Sequence, residues 1–143
     1  MVVRVKLKIK SKFTNRSVEL VVLANGGAES PKPCVVVDVK TAEALNLWPS
    51  QGELYSIEEA STTTKAYLLP EAVKLELLDE RGNTLSNVDA DLIIQEGLHE
   101  PLITDITIDS LGIQVISFSK GLWRHKKDSP DTIRESAKHV QTK

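Results

Sequence analysis

Val3, Val5, Leu7 and Ile9 alternate with Arg4, Lys6, Lys8 and Lys10 at the start of the chain. A period of two sends successive side chains to opposite faces, so this stretch predicts a half-buried strand with a basic outer face. After a turn at Asn15-Arg16, Val18 to Leu23 predicts a second strand, more fully buried. It runs into Asn25-Gly26-Gly27-Ala28, where paired glycines offer the backbone freedom for a sharp reversal. Ser30-Pro31-Lys32-Pro33 then makes a stiff, extended connector.

Val35-Val36-Val37 predicts a short buried strand, and Thr41 is placed to cap a short helix over Ala42 to Leu47, ended by Trp48-Pro49. Beyond a turn at Ser50-Gln51-Gly52, Leu54 to Glu59 and Lys65 to Leu69 predict a hairpin joined across residues 60–64. Val73, Leu75 and Leu77 alternate with Lys74 and Glu76, the chain turns at Glu80-Arg81-Gly82-Asn83, and Val88 to Ile94 predicts another strand. Pro101-Leu102-Ile103 leads to Thr104-Asp105, the start of a helix through Leu111 that Gly112 stops. Ile113 to Phe118 and Leu122-Trp123-Arg124 predict two last strands around a Lys120-Gly121 turn. Ser129-Pro130-Asp131 combines a cap, a first-turn proline and an early acid. It predicts a polar C-terminal helix from Asp131 to near Val140, with Ile133, Ala137 and Val140 as its thin apolar face. Many short strands with frequent turns predict a mainly-β barrel over residues 1–128, followed by a helical tail over 129–143.

Composition refines this picture. At 143 residues the chain is long enough for one real core, and with aromatics at 4% that core must be aliphatic, which favours strands. The single Cys34 excludes an internal disulfide and a cysteine-rich metal site, and implies a reducing cytoplasm. No apolar segment approaches about 18 residues and no signal-peptide core is evident, so neither a membrane span nor export is expected. The net charge of −2 hides an uneven distribution. Arg4, Lys6, Lys8, Lys10, Lys12 and Arg16 precede any acid, whereas Glu71 to Asp109 is strongly acidic and Lys120 to Lys127 basic again. Such asymmetry fits charge complementarity within the fold or across a dimer better than recruitment of an acidic partner. The basic first strand with Lys126-Lys127 is the feature that points to nucleic acid, against few aromatics for stacking and an acidic net charge.

Three segments, in order, carry a resemblance to a known family: Leu20 to Ala28 with Val35-Val36-Val37 and Ala42 to Leu47; the hairpin Tyr55 to Tyr67; and Glu100 to Thr104 with Ile108 to Ile113. From Val18 to Arg124 the chain resembles the retropepsin-like aspartic proteases, closest to small single-domain prokaryotic and archaeal forms. In that family an apolar strand delivers Asp-Thr/Ser-Gly-Ala, and here those slots hold Asn25, Gly26, Gly27 and Ala28. The resemblance implies a β-barrel half-protease that works as a homodimer. Its cleft would lie around Ala28, Ile103 and Thr104, beneath flaps tipped by Ser61, Thr62, Thr63 and Thr64, with no cofactor and no metal. It also implies a defect. Two carboxylates close together titrate apart, so that one serves as base while the other donates, and an amide at position 25 can do neither. Gly26 lacks the bracing hydroxyl, Thr104 adds bulk where the family has glycine, and the flap tip has no glycine. The first expectation is therefore a proteolytically silent member that binds an extended peptide or a protein partner.

The second expectation is an active peptidase using another acid, Asp38 or Asp105, or an acid formed by deamidation of Asn25 before Gly26. Asp38 at a strand end and Asp105 in a first helical turn each suit a structural role better. The third is a nucleic-acid or regulatory partner module using the basic strand. His99, His125 and His139 lack metal-ligand spacing, and Cys34 has no activating neighbour and reads as a buried small apolar group.

Overall fold

A computed structural model describes residues 2–49, 53–59 and 62–138, with only the backbone for 53–59, 62 and 63. The expected turn at Ser50-Gln51-Gly52 lies outside the described residues. The chain is mainly β. In order it forms β1 (Arg4–Ser11), β2 (Ser17–Ala24), β3 (Cys34–Val37), α1 (Val39–Ala44), β4 (Glu53–Glu59), β5 (Thr62–Leu78), β6 (Thr84–Gln95), β7 (Leu102–Ile103), α2 (Asp105–Ser110), β8 (Ile113–Ser117), β9 (Leu122–His125) and β10 (Arg134–Glu135).

The alternation in β1 is used as the sequence predicts. Val3, Val5, Leu7 and Ile9 are buried, and β1 pairs antiparallel with β2 on one side and β5 on the other. That second pairing closes six strands of the seven-stranded sheet, β1-β2-β7-β3-β6-β5, into a ring around an aliphatic core of residues such as Leu7, Ile9, Leu75, Leu92 and Ile94, with β4 paired to β5 outside the ring. In β2 only Val22 and Ala24 are buried, so this strand is less enclosed than its apolar run suggests.

Residues 65–69 and 73–77, two separate strands by pattern, belong to one 17-residue strand with a bend in it. Pro70 cannot donate to the ladder, Glu71 has a positive φ of 47°, and the register with β6 shifts between Leu69 and Val73. Asp91 fixes the irregularity by accepting the Glu71 N–H at 2.8 Å. Before the bend β5 lies between β4 and β6; after it, between β1 and β6. The bend thus lets one strand both carry the hairpin and close the ring.

Part of the charge asymmetry is paired inside the fold. Arg4 is bidentate to Glu100 at 2.9 and 3.1 Å, Lys10 meets Glu76 at 2.8 Å, Lys12 meets Asp89 at 3.1 Å and Lys6 meets Glu19 at 3.6 Å. Lys10 holds the Glu76 carboxyl below its usual range. On the outer face of β1, Arg4, Lys6 and Lys10 are therefore ion-paired.

Two corrections concern helices. Asp38, not Thr41, caps α1: its Oδ1 accepts the Thr41 N–H at 2.8 Å, which moves the helix to Val39–Ala44. Its end is marked by Asn46 at φ 59°, with Asn46 N–H on Glu43 O and Leu47 N–H on Ala42 O, a Schellman closure that leaves Leu47 outside the helix. The second correction is larger. The C-terminal helix does not form over the described part of the tail, 129–138; residues 139–143 lie outside it. Ser129 caps only one turn, with Thr132 N–H on Ser129 O, and the chain then runs extended into β10. Local helix signals in so short a polar stretch are weak, and tertiary bonds outweigh them. Arg134 is bidentate to Asp128 at 2.8 and 2.9 Å and lies over the Trp123 ring at 5.6 Å. Ala137 N–H reaches Arg4 O at 2.8 Å, and Ser136 N–H reaches Gly121 O at 2.7 Å.

The three-stranded sheet β10-β9-β8 is tied to α2 by His125, which is 2% exposed. Its Nδ1 accepts the Lys127 N–H at 3.2 Å, so Nε2 carries the proton and donates to Leu111 O at 3.1 Å. Gly112, at φ 76°, allows this approach: a Cβ there would sit 2.9 Å from His125 Nε2.

Three consequences can be measured by urea unfolding. Leu75→Ala, in the strand that closes the ring, should cost about 2–5 kcal/mol, whereas Lys10→Ala should cost less than about 1 kcal/mol. Burial lowers the His125 pKa, against the raising effect of its bond to Leu111. The unfolded chain protonates near about 6.5, so the stability His125 contributes is whole above that pH and drains away as pH falls from there towards the folded value. Asp128 is held down to about 2, chiefly by Arg134. Its contribution is whole above about 3.9 and is lost as pH falls towards 2. Two acid steps should appear, and His125→Gln should remove the upper one alone.

Candidate functional site

The end of β2 sets the site. Ala24 is buried, and Asn25 comes next with its N–H on Ile103 O at 3.1 Å. Its own carbonyl accepts the Ala28 N–H at 3.1 Å, and its Oδ1 accepts the Gly27 N–H at 3.1 Å. A backbone turn and a side-chain Asx turn thus overlap on one residue. The reversal does not use the glycines as expected: neither Gly26 nor Gly27 has a positive φ, and a Cβ on Gly26 would meet nothing within 4 Å.

Opposite this turn lies β7, inserted between β2 and β3. Leu23 and Ala24 pair in parallel with Leu102 and Ile103, and Val35 and Val36 pair antiparallel with the same two residues. The chain then bends at Thr104, the N-cap residue of α2. Asp105 N–H donates to Ala28 O at 2.8 Å, and Ser30 N–H donates to Asp105 Oδ1 at 3.3 Å. Residues 25–30 and 103–105 are therefore laced together from both sides.

Hydroxyl groups complete the lacing. Thr104, 4% exposed, does not cap α2 with its side chain; its Oγ1 lies 2.6 Å from Ser30 Oγ and 2.8 Å from Thr107 Oγ1. Ser30 donates onward to Lys32 O at 2.7 Å, and Thr107 accepts the Cys34 N–H at 2.8 Å while reaching Cys34 O at 3.1 Å. The bulk at Thr104 is thus a buried link in a chain of three hydroxyls from the turn to β3. Cys34 beside it is inert, its thiol pushed up to about 12 by burial and by Asp91.

Of the expected site residues, Asn25 bonds to Ile103 and Ala28 to Asp105, the residue after Thr104, whereas among the described residues no hydrogen bond joins Gly26 or Gly27 to that bend. Ser61 lies outside the described residues. Thr62 and Thr63 open β5, Thr64 pairs with Ile57, and among the described residues no hydrogen bond joins Thr64 to the Asn25 turn. Asp38 and Asp105 are both engaged with backbone N–H groups. His99 is exposed, His125 is buried against Leu111, and His139 lies outside the described residues. Ser30 and Thr107 are functional candidates that pattern reading missed. The available signal was the three-residue spacing of Thr104 and Thr107, which stacks them on one helix face.

Two grooves lie elsewhere. One, of 540 Å³, runs between β1 and the C-terminal segment; its cations Arg4, Lys6 and Arg134 are all ion-paired. The other, of 440 Å³, is apolar and lies between Phe13, Leu47 and Leu69. No helix among the described residues is long and apolar enough to cross a membrane. No family model and no curated protein matches the chain.

Thr107→Val should leave the Cys34 N–H buried without a partner and cost about 1–3 kcal/mol in urea unfolding. Thr107→Ser, which keeps the oxygen, should recover most of that loss.

Proposed function

We propose that this chain is a retropepsin-like subunit without its catalytic acid, which binds an extended peptide or protein segment in a cleft formed between two copies. The observation that carries this reading is the lacing of the strand-delivered Asn25–Ala28 turn to the Ile103–Asp105 bend. Two segments about 75 residues apart in the chain, singled out by the resemblance, meet through Asn25 N–H on Ile103 O and Asp105 N–H on Ala28 O. On this reading the strand ring is the family's barrel and the β4–β5 hairpin its flap.

The chemistry of position 25 weighs against catalysis. Its side chain is an amide whose oxygen is already occupied by Gly27 N–H. A general base contributes about 10²–10⁴-fold in rate, and loss of both carboxylates of a dimer also removes the shared proton on which the mechanism rests. Asp38 and Asp105 do not replace it, because each serves its own helix start. Gly26 and Gly27 stand exposed on the single chain, so a cleft over them requires a second copy. Main-chain hydrogen bonds to an added strand are the interaction such a cleft offers an extended ligand. A buried, unreactive Cys34 suits a reducing cytoplasm. The ion-paired face of β1 weighs against the nucleic-acid alternative.

The test compares fresh protein, with Asn25 verified intact by mass, against Asn25→Asp on a peptide library at acid pH. The native chain should sediment as a dimer and cleave nothing, and the variant should gain pepstatin-sensitive cleavage. Pepstatin-sensitive cleavage by the intact native chain, or a strictly monomeric chain, would overturn the reading.

A further inference from the structure

We propose that Asn25 is a self-modifying site, at which the folded turn converts the side-chain amide to a carboxylate through a cyclic imide. The nucleophile is the Gly26 backbone nitrogen. The N–H groups of Asn25, Gly27 and Ala28 are all engaged, on Ile103 O, Asn25 Oδ1 and Asn25 O, whereas that of Gly26 has no partner among the described residues. Gly26 is exposed and has no Cβ to crowd the attack, and nothing lies within 4 Å of where one would stand. The electrophile is Asn25 Cγ. The Gly27 N–H at 3.1 Å from Oδ1 polarises that carbonyl and faces the negative charge that develops on Oδ1 during addition. Anchorage of Asn25 N–H on Ile103 O fixes the residue from which the ring forms.

The steps balance with water as sole co-reactant. The Gly26 nitrogen gives its proton to solvent and bonds to Cγ; the Cγ–Nδ2 bond then breaks, and Nδ2 leaves as ammonia with a proton from solvent. One water opens the five-membered imide. Attack at Cγ leaves an aspartyl residue with a normal backbone; attack at the former main-chain carbonyl leaves an isoaspartyl linkage. Both products carry one new carboxylate, and no oxidant or reductant takes part. Asn15, Asn46, Asn83 and Asn87 precede Arg16, Leu47, Thr84 and Val88, whose side chains crowd the attacking nitrogen. The reaction does not rest on the protease-like reading. Only its consequence does: on that reading it installs an acid in the slot that lacks one.

The test incubates the full chain, folded and in parallel unfolded in urea, at mildly alkaline pH, and maps its peptides by mass spectrometry with an isoaspartyl methyltransferase assay. In the folded chain the residue 25 peptide should gain the mass of an NH-to-O exchange and split into aspartyl and isoaspartyl forms. In Gly26→Ala, which the open space and ordinary φ accommodate, that conversion should fall to the level of the other four asparagines. An Asn25 that stays intact while folded, whether or not it converts in urea, overturns the proposal. So does equal conversion in Gly26→Ala, or an aspartyl product with no isoaspartyl form. None of these readouts depends on peptidase activity.

Discussion

The two residues of β7 hold the site together. Leu102 and Ile103 are inserted between β2 and β3, parallel to one and antiparallel to the other, and without them the ring of strands has a gap beside the Asn25 turn. A parallel pairing cannot be made by a tight turn, so β7 reaches its place beside β2 only through the long stretch of chain that separates them. Because α2 begins immediately afterwards, the register of β7 also sets Thr104 and Thr107. A slip of one residue would turn Ile103 out of the core and carry the hydroxyl chain away from Ser30.

The bend in β5 is the complementary constraint. Pro70 and Glu71 interrupt the ladder at the point where β5 changes partners from β4 to β1. One face of the resulting ring carries the ion pairs of β1, and Arg4 extends that face to the C-terminal segment through Ser136 and Ala137. The tail thereby supplies the third strand of a small sheet, held by Arg134, Trp123 and Asp128, rather than a helix packed from outside.

Much of the ring was legible in the sequence, because apolar alternation at Val3–Ile9 and Val73–Leu77 reports burial on one face directly. The α2 boundaries were legible too, from Thr104-Asp105 at one end and Gly112 at the other. The tail was not. Ser129-Pro130-Asp131 is a genuine turn signal, but the path of the chain beyond it is decided by the guanidinium of Arg134 on a carboxylate and an indole, which no local propensity reports. The continuity of β5 was hidden by Pro70 for the same reason, since Asp91 repairs the break from another strand. At the site, only the family resemblance pointed to the meeting of Asn25 with Ile103. Of the bracing, only the Thr104–Thr107 spacing was legible; the link to Ser30 was not, because that hydroxyl's partner is a matter of tertiary distance.

Amide hydrogen exchange in the native chain tests the lacing most directly. The N–H groups of Asn25 and Asp105, bonded to Ile103 O and Ala28 O, should be protected to a degree approaching that of core strand amides such as Leu92, while Gly26 between them exchanges quickly. Exchange at Asn25 and Asp105 as fast as at Gly26 would contradict it, and would mean that the turn and the bend do not meet in solution.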